Sequence, residues 1–236
     1  MEPWFRFAVI VIKPLLLLLT RRDFRGQQNV PAAGGCIVAV NHISYADPFV
    51  VAMFIHDLGR RPRYLAKSPL FRMFLVRSVL KGAKQIPVYR ETSDAGHALS
   101  AAVAAVKSGE CLVIYPEGTV TRDPAGWPML AKTGVARLAL MTGAPVIPMG
   151  QWGAQDLWPY QGRIRPFPRK RVRVLAGEPV DLTKWAGAEP TAVNLRAITD
   201  HVMDEVSALI GELRGEAPPT DYYVPDATRG ETRRSA

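Results

Sequence analysis

His42 and Asp47 lie five positions apart in Asn41-His42-Ile43-Ser44-Tyr45-Ala46-Asp47, directly after the apolar run 36–40. An imidazole beside a carboxylate works as an oriented general base: the carboxylate fixes the ring tautomer and steadies the imidazolium, while the ring takes a proton from a substrate hydroxyl. On a continuous helix, positions i and i+5 point about 140° apart at roughly 3.6 residues per turn, so this pair needs a turn. A strand ending at Val40, a loop through His42 and a helix opened by Asp47 and Pro48 would curl the carboxylate back to the ring. The same spacing also fits an aspartate that only caps a helix beside a loop histidine, and the two residues alone do not choose. Two further stretches carry groups suited to a phosphate. Lys84 and Arg90 flank a strand-like run, and Glu117, Gly118 and Thr119 form a tight turn with a hydroxyl and backbone amides, followed by Arg122. Taken singly, each is equally a surface charge or a turn residue.

The chain that must position these groups has 236 residues, enough for one α/β domain with a substantial core. Thirty Lys plus Arg against 21 Asp plus Glu leave a charge of +9, which suits an anionic partner: a phosphorylated substrate, an acidic membrane surface or a nucleic acid. The basic residues are scattered, without aromatic interleaving on a strand face, so no nucleic-acid partner is expected. Cys36 and Cys111 sit in apolar runs and read as reduced, buried thiols. They lack a CxxC spacing or a nearby His cluster, so neither a metal site nor another cofactor is expected.

Residues 4–20 are strongly apolar but interrupted by Arg6, Lys13 and Pro14. Each clean run is too short to cross a bilayer, which takes roughly 20 residues. Followed by Arg21, Arg22 and Arg25, this stretch reads as an interfacial anchor on anionic lipid, although a helix packed on the domain's own core fits as well. Lys13 and Pro14 also argue against a signal peptide. From residue 36 strand-like and helix-like segments alternate. Strands are expected at 36–40, 63–66, 85–89, 111–115, 145–149 and 171–175. Helices are expected at 48–56, 70–80, 93–108 and 135–141, with a long one inside 189–213, and 121–129 should be irregular. That alternation predicts a single α/β domain with a mixed, largely parallel sheet covered by helices, spanning 26–215. Residues 1–25 are read as a membrane-interface helical segment, and 216–236 as a tail that is poorly ordered or laid over the surface. Functional loops in such sheets gather at the carboxyl ends of strands, where both His42 and Glu117 fall.

Four blocks, in order, resemble the glycerolipid acyltransferase family that includes the 1-acylglycerol-3-phosphate acyltransferases. Asn41-His42-x-Ser44-x-x-Asp47 is similar to its first block, HX4D. Lys84-x-x-Pro87-Val88-x-Arg90 is similar to the second, Pro116-Glu117-Gly118-Thr119 to the third and Val146-Ile147-Pro148 to the fourth. The resemblance implies that His42 is the base, that Asp47 orients it, and that the hydroxyl attacks a thioester directly, leaving Ser44 a structural loop residue. Arg90, Glu117, Gly118 and Thr119 would form the acceptor-phosphate site, with Lys84 and Arg122 as further cations, and Pro148 would shape the acyl side. The implied donor is acyl-CoA or acyl carrier protein. The implied acceptor is lysophosphatidic acid, handled by a peripheral or monotopic protein at the cytoplasmic face of an anionic cell membrane. Two departures bear on the acceptor. Val120 stands where the family commonly has arginine, with Arg122 two residues on, and Pro87 and Val88 stand where Phe and Ile are usual. Another lipid or glycolipid hydroxyl is the alternative acceptor, and a non-catalytic membrane-binding module is the alternative class. A serine hydrolase would need a G-x-S-x-G elbow, which the sequence lacks.

Overall fold

The structure, a computed structural model, describes residues 3–72, 74–88 and 95–225. Its elements in order are helix α1 (Pro3–Leu19), strands β1 (Thr20–Arg25) and β2 (Cys36–Val40), helix α2 (Asp47–Asp57), strand β3 (Pro62–Lys67), helix α3 (Phe74–Gly82), strand β4 (Ile86–Val88) and helix α4 (Ala95–Lys107). Then follow β5 (Cys111–Ile114), α5 (Gly134–Thr142), β6 (Val146–Trp152), α6 (Ala154–Leu157), β7 (Lys170–Ala176) and α7 (Ala192–Arg214). Seven strands form one sheet in the order β1-β7-β6-β2-β5-β3-β4. Every pairing is parallel except β6 with β7, so the sheet is mixed and mostly parallel, as the alternation of segments predicts.

β2 lies at the centre and all five of its residues are buried. Its side chains divide by parity. Cys36, Val38 and Val40 join the α2 residues Val50, Val51 and Phe54 on one face. Ile37 and Ala39 join Val135 and Leu138 of α5 and Val202 and Val206 of α7 on the other. Burying one side chain of the Val or Ile kind is worth about 1.5 to 3 kcal/mol, so this strand anchors both layers. The β2–α2–β3 connection leaves over one face and β5–α5–β6 over the other, so the loops after β2 and β5 lead to opposite faces from adjacent carboxyl ends, where sheets of this kind gather functional groups. Cys36 and Cys111 are register partners at the opposite end, both free and buried. The Arg60 guanidinium ties that end together by donating to the carbonyls of Pro31, Gly34 and Gly109.

Two expectations change. Residues 20–25, expected in the helical N-terminal segment, form the sheet-edge strand β1, paired with β7 from Thr20↔Lys170 to Arg25↔Leu175. A strand paired on one side only can be polar, and Asp23 answers Arg171 across the pair at 3.0 Å. The helix expected at 70–80 is a 3-10 turn, Ser68–Arg72, followed by α3. Ser93 and Asp94, expected to cap the next helix, lie outside the described residues. Among the described residues no helix is long and apolar enough to cross a membrane. The tail as far as Pro225 lies on the body, where Tyr223 O accepts the Leu130 N–H at 3.0 Å and Tyr222 donates to Asp204 at 2.6 Å.

Candidate active site

The loop after β2 folds around one carboxylate oxygen. Asp47 Oδ2 accepts the N–H groups of Ile43 at 2.6 Å and Ser44 at 2.7 Å and meets His42 Nδ1 at 2.8 Å. The i to i+5 pair therefore forms across a turn, with Pro48 in the first turn of α2 fixing where the helix starts. Asp47 is fully buried, whereas the His42 side chain keeps 17% of its surface. Burial pushes the Asp47 carboxyl up from its ordinary value, and the hydrogen bonds from His42, Ser44 and Ile43 oppose the rise. With Asp47 ionised, Nδ1 carries the proton and Nε2 is left as the basic nitrogen.

The rest of the loop is held by neighbouring elements. The His42 ring stacks on Tyr115 with centroids 4.2 Å apart. Asn41 and Gln151 extend the β2–β6 pairing with side-chain amides. Asn41 Nδ2 donates to Gln151 O at 3.1 Å, and Gln151 N–H and Nε2 return bonds of 2.9 and 2.7 Å. Ser44 is fully buried, and its hydroxyl donates to Trp158 O at 2.6 Å with Ala154 O at 3.0 Å. That hydroxyl points into the protein and offers no nucleophile to a substrate.

Glu117 comes to the same place from β5 but faces inward. Its Oε1 accepts the His42 N–H at 2.8 Å and its Oε2 accepts the Met129 N–H at 2.9 Å. The next-but-three N–H, that of Thr121, returns a bond to His42 O at 2.6 Å. Only 4% of Glu117 is exposed, and burial pushes its carboxyl up to about 8 against the pull of the two N–H groups. Expected to face a phosphate, this carboxylate instead clamps the His42 loop to the 117–129 loop.

The remaining predicted positions divide. Gly118 turns at φ +72°, a left-handed conformation that favours glycine, and its N–H is taken by Tyr115 O at 2.9 Å. Thr119 is half-buried and Arg122 is exposed on the rim, directly after the Thr121 bond to His42, whereas Val120 is buried. Lys84 does not lie with these residues. It precedes β4, at the amino end of the parallel strands, and lines a cavity of about 360 Å³ with Gly34, Arg60 and Gly109. Arg90 lies outside the described residues. Pro148 sits in mid-β6, level with Ala39 and buried on the face that α7 covers, so it packs the core instead of joining them.

Sequence reasoning missed three contributors. Lys132 overlies the turn: a Cβ built on Gly118 would lie 3.5 Å from its Cδ and 3.7 Å from its Nζ. Tyr115 supplies the platform for the ring, and Met129 supplies the second N–H that holds Glu117. Only the spatial approach of loops distant in the chain marks them. Among the described residues no group of three His, Cys, Asp or Glu side chains could hold a metal ion.

Residues 21–152, which contain the whole constellation, match the family described as Acyltransferase. The chain belongs to the acyltransferase family. It is 26% identical over 209 residues to the 1-acyl-sn-glycerol-3-phosphate acyltransferase of Bacillus subtilis, covering 89% of this chain and 98% of that one. Over 134 residues, 56% of this chain and 52% of the relative, it is 32% identical to the protein of the same name from Borreliella burgdorferi. The crystal structure of the 1-acyl-sn-glycerophosphate (LPA) acyltransferase, PlsC, from Thermotoga maritima shares the fold with a TM-score of 0.65 at 24% identity, over 93% of this chain and 86% of that one. This acyltransferase is therefore an enzyme that moves acyl groups to oxygen, and the loops after β2 and β5 lie inside the matched region.

Proposed function

We propose that the enzyme transfers an acyl chain from acyl-CoA or acyl carrier protein to the sn-2 hydroxyl of 1-acylglycerol-3-phosphate, giving phosphatidic acid for phospholipid synthesis. The observation that carries this reading is the 2.8 Å His42 Nδ1–Asp47 Oδ2 contact, with the carboxylate fully buried and the His42 side chain partly exposed. His42 Nε2 takes the hydroxyl proton as the oxygen attacks the thioester carbonyl. The carbon–oxygen bond forms, the carbon–sulfur bond breaks, and the proton passes from His42 to the departing thiolate. Asp47 steadies the imidazolium between these steps. A base of this kind supplies roughly 10²- to 10⁴-fold, and orientation supplies much of the remainder.

The acceptor's phosphate would lie over the turn at Gly118 and Thr119, met by Arg122, Lys132 and Arg90, while Glu117 positions the loops from behind. The names of the two curated relatives support this acceptor. The buried Val120, at the family's arginine place, supports a second reading in which the acceptor is another lipid or glycolipid hydroxyl. An acceptor panel separates the two. Lysophosphatidic acid should give the highest kcat/KM, and a higher value for an acceptor without a phosphomonoester would overturn the first reading.

The enzyme works at the cytoplasmic face of the cell membrane, held there by α1. This helix exposes a continuous apolar stripe, with Ile10 69%, Val11 48%, Leu15 52% and Leu18 59% exposed, while Leu16 is buried against the body. A stripe of that kind, followed by Arg21 and Arg22, suits the interface of an anionic bilayer.

A further inference from the structure

Between α6 and β7 the chain reads Gly162-Arg163-Ile164-Arg165-Pro166-Phe167-Pro168-Arg169, and every one of these residues is exposed. Ile164 is 51% and Phe167 69% exposed. Single exposed apolar side chains are ordinary on a protein surface and need no special cause. Here, however, two of them alternate with three arginines and are followed at once by Lys170 and Arg171. Arg163 and Arg165 make no ion pair with a carboxylate among the described residues. The segment is also fastened at both ends. Arg165 N–H donates to Leu157 O at 2.8 Å, and the Arg169 guanidinium donates to Leu17 O and Thr20 O, both at 2.7 Å. The last two bonds fix the segment to the carboxyl end of α1, the helix with the outward apolar stripe. Two prolines restrict the backbone between those anchors, so the tips are held outward at little ordering cost.

The other side of this segment reaches the catalytic loop. Ser44 and Pro159 form an isolated antiparallel bridge, and the Tyr45 ring lies 5.7 Å from that of Trp158 and 5.8 Å from that of Tyr160. Tyr45 itself is 40% exposed. An aromatic cluster thus joins residues 158–160, just before the exposed tips, to Tyr45, three residues from His42.

We propose that residues 163–171 form a second membrane contact, which inserts Ile164 and Phe167 into an anionic bilayer beside α1 and sets the His42 loop at the level of the lipid headgroups. Charge complementarity selects the occupant: five cations within nine residues, interleaved with apolar tips, match an anionic leaflet with hydrocarbon beneath it. The acceptor then reaches His42 laterally along the Tyr45–Tyr160 cluster. This inference rests on the interface reading of α1 and extends it to a separate loop.

Two preparations test it on vesicles of phosphatidylcholine with phosphatidylglycerol, and on phosphatidylcholine alone. In the first, Phe167→Cys carries an environment-sensitive dye, which the buried Cys36 and Cys111 leave to the new thiol. In the second, Ile164→Asp and Phe167→Asp are combined. The dye should brighten and shift to the blue on the anionic vesicles, and the double variant should partition at least about tenfold more weakly, as expected for losing two buried apolar side chains. Turnover of a short-chain acceptor dissolved below its micellar concentration should be unchanged, which also shows that the variant is folded. If the protein binds the vesicles while the dye stays unchanged, the loop proposal falls and the α1 reading stands. If the unsubstituted protein binds neither vesicle, both fall. Normal vesicle binding by the double variant, with turnover lost only when acyl carrier protein is the donor, would assign the loop to a protein partner and overturn the proposal.

Discussion

Replacing Glu117 by glutamine tests whether this side chain is a buried clamp or a ligand-facing group. Its two oxygens accept N–H groups from His42 and Met129 at 2.8 and 2.9 Å, and a glutamine amide can accept only one of them. The second N–H then faces an NH₂ group, at a cost of about 1 to 3 kcal/mol for a buried donor left unpaired. The pH dependence works in the other direction. Burial raises the folded-state carboxyl from 4.5 to about 8, so the native state holds a proton that the unfolded chain has released. A raised carboxyl stabilises the fold fully below its unfolded value, and that contribution is lost as pH climbs through the folded value. The window is therefore pH 4.5 to 8, the slope from this one group is at most ~1.4 kcal/mol per pH unit, and the whole span is of order 5 kcal/mol. Glutamine does not titrate. Urea unfolding followed by tryptophan fluorescence at pH 5, 6.5 and 8 should show Glu117→Gln less stable than the parent at pH 5, with the gap closing and then reversing by pH 8, because the parent loses about 3 to 4 kcal/mol over that range, more than the unpaired N–H costs. Asp47 titrates in both proteins, so the comparison isolates Glu117. Because the clamp between the His42 and Met129 loops loses one of its two bonds, kcat should also fall, by up to about 10²-fold for a shift of the order of 1 Å. Parallel stability curves at all three pH values would refute the clamp, as would a change confined to acceptor KM.

Other substitutions probe the neighbouring parts. Asp47→Asn removes the charge that steadies the imidazolium and offers Nδ1 an NH₂ donor that favours the wrong tautomer, so kcat should drop about 10²- to 10⁴-fold with little change in either KM. A fall below tenfold, measured by thiol release at saturating substrates, would count against the orienting role. Lys132→Ala should raise the acceptor KM and leave the donor KM unchanged; equal effects on both would remove Lys132 from the phosphate side. Leu15→Ser with Leu18→Ser should weaken co-sedimentation with anionic vesicles without shifting the melting temperature, since both side chains point outward. Truncation at residue 25 is a poorer test, because it deletes β1 from the sheet.

What was legible in the sequence followed from burial. The central strands announce themselves because both faces of β2 and β5 are covered, so Cys36–Val40 and Cys111–Ile114 carry unbroken apolar runs. β1 stayed hidden in Thr-Arg-Arg-Asp-Phe-Arg, since a half-covered edge strand needs no such run. The proline and aspartate at a helix start made the His42–Asp47 turn possible to read, but only the blocks far along the chain chose the pair over a helix cap. The direction in which Glu117 points was not, as it depends on Met129 and His42 arriving from separate loops. Lys84 misled because the motif does not say at which end of the sheet a residue falls: it precedes β4 and lies with Arg60 and Gly109, at the end opposite His42. Lys132 went unseen for the converse reason: it meets Gly118 only after the 121–129 loop has folded back.

The most direct test of the central claim is a paired assay of the full chain and His42→Ala with acyl-CoA and lysophosphatidic acid, reading free thiol and phosphatidic acid together. The parent should form the two products in equal amounts, while His42→Ala, with an unchanged melting temperature, should lose about 10²-fold or more of both. Equal rates from the two proteins, or thiol released without phosphatidic acid, would contradict the account.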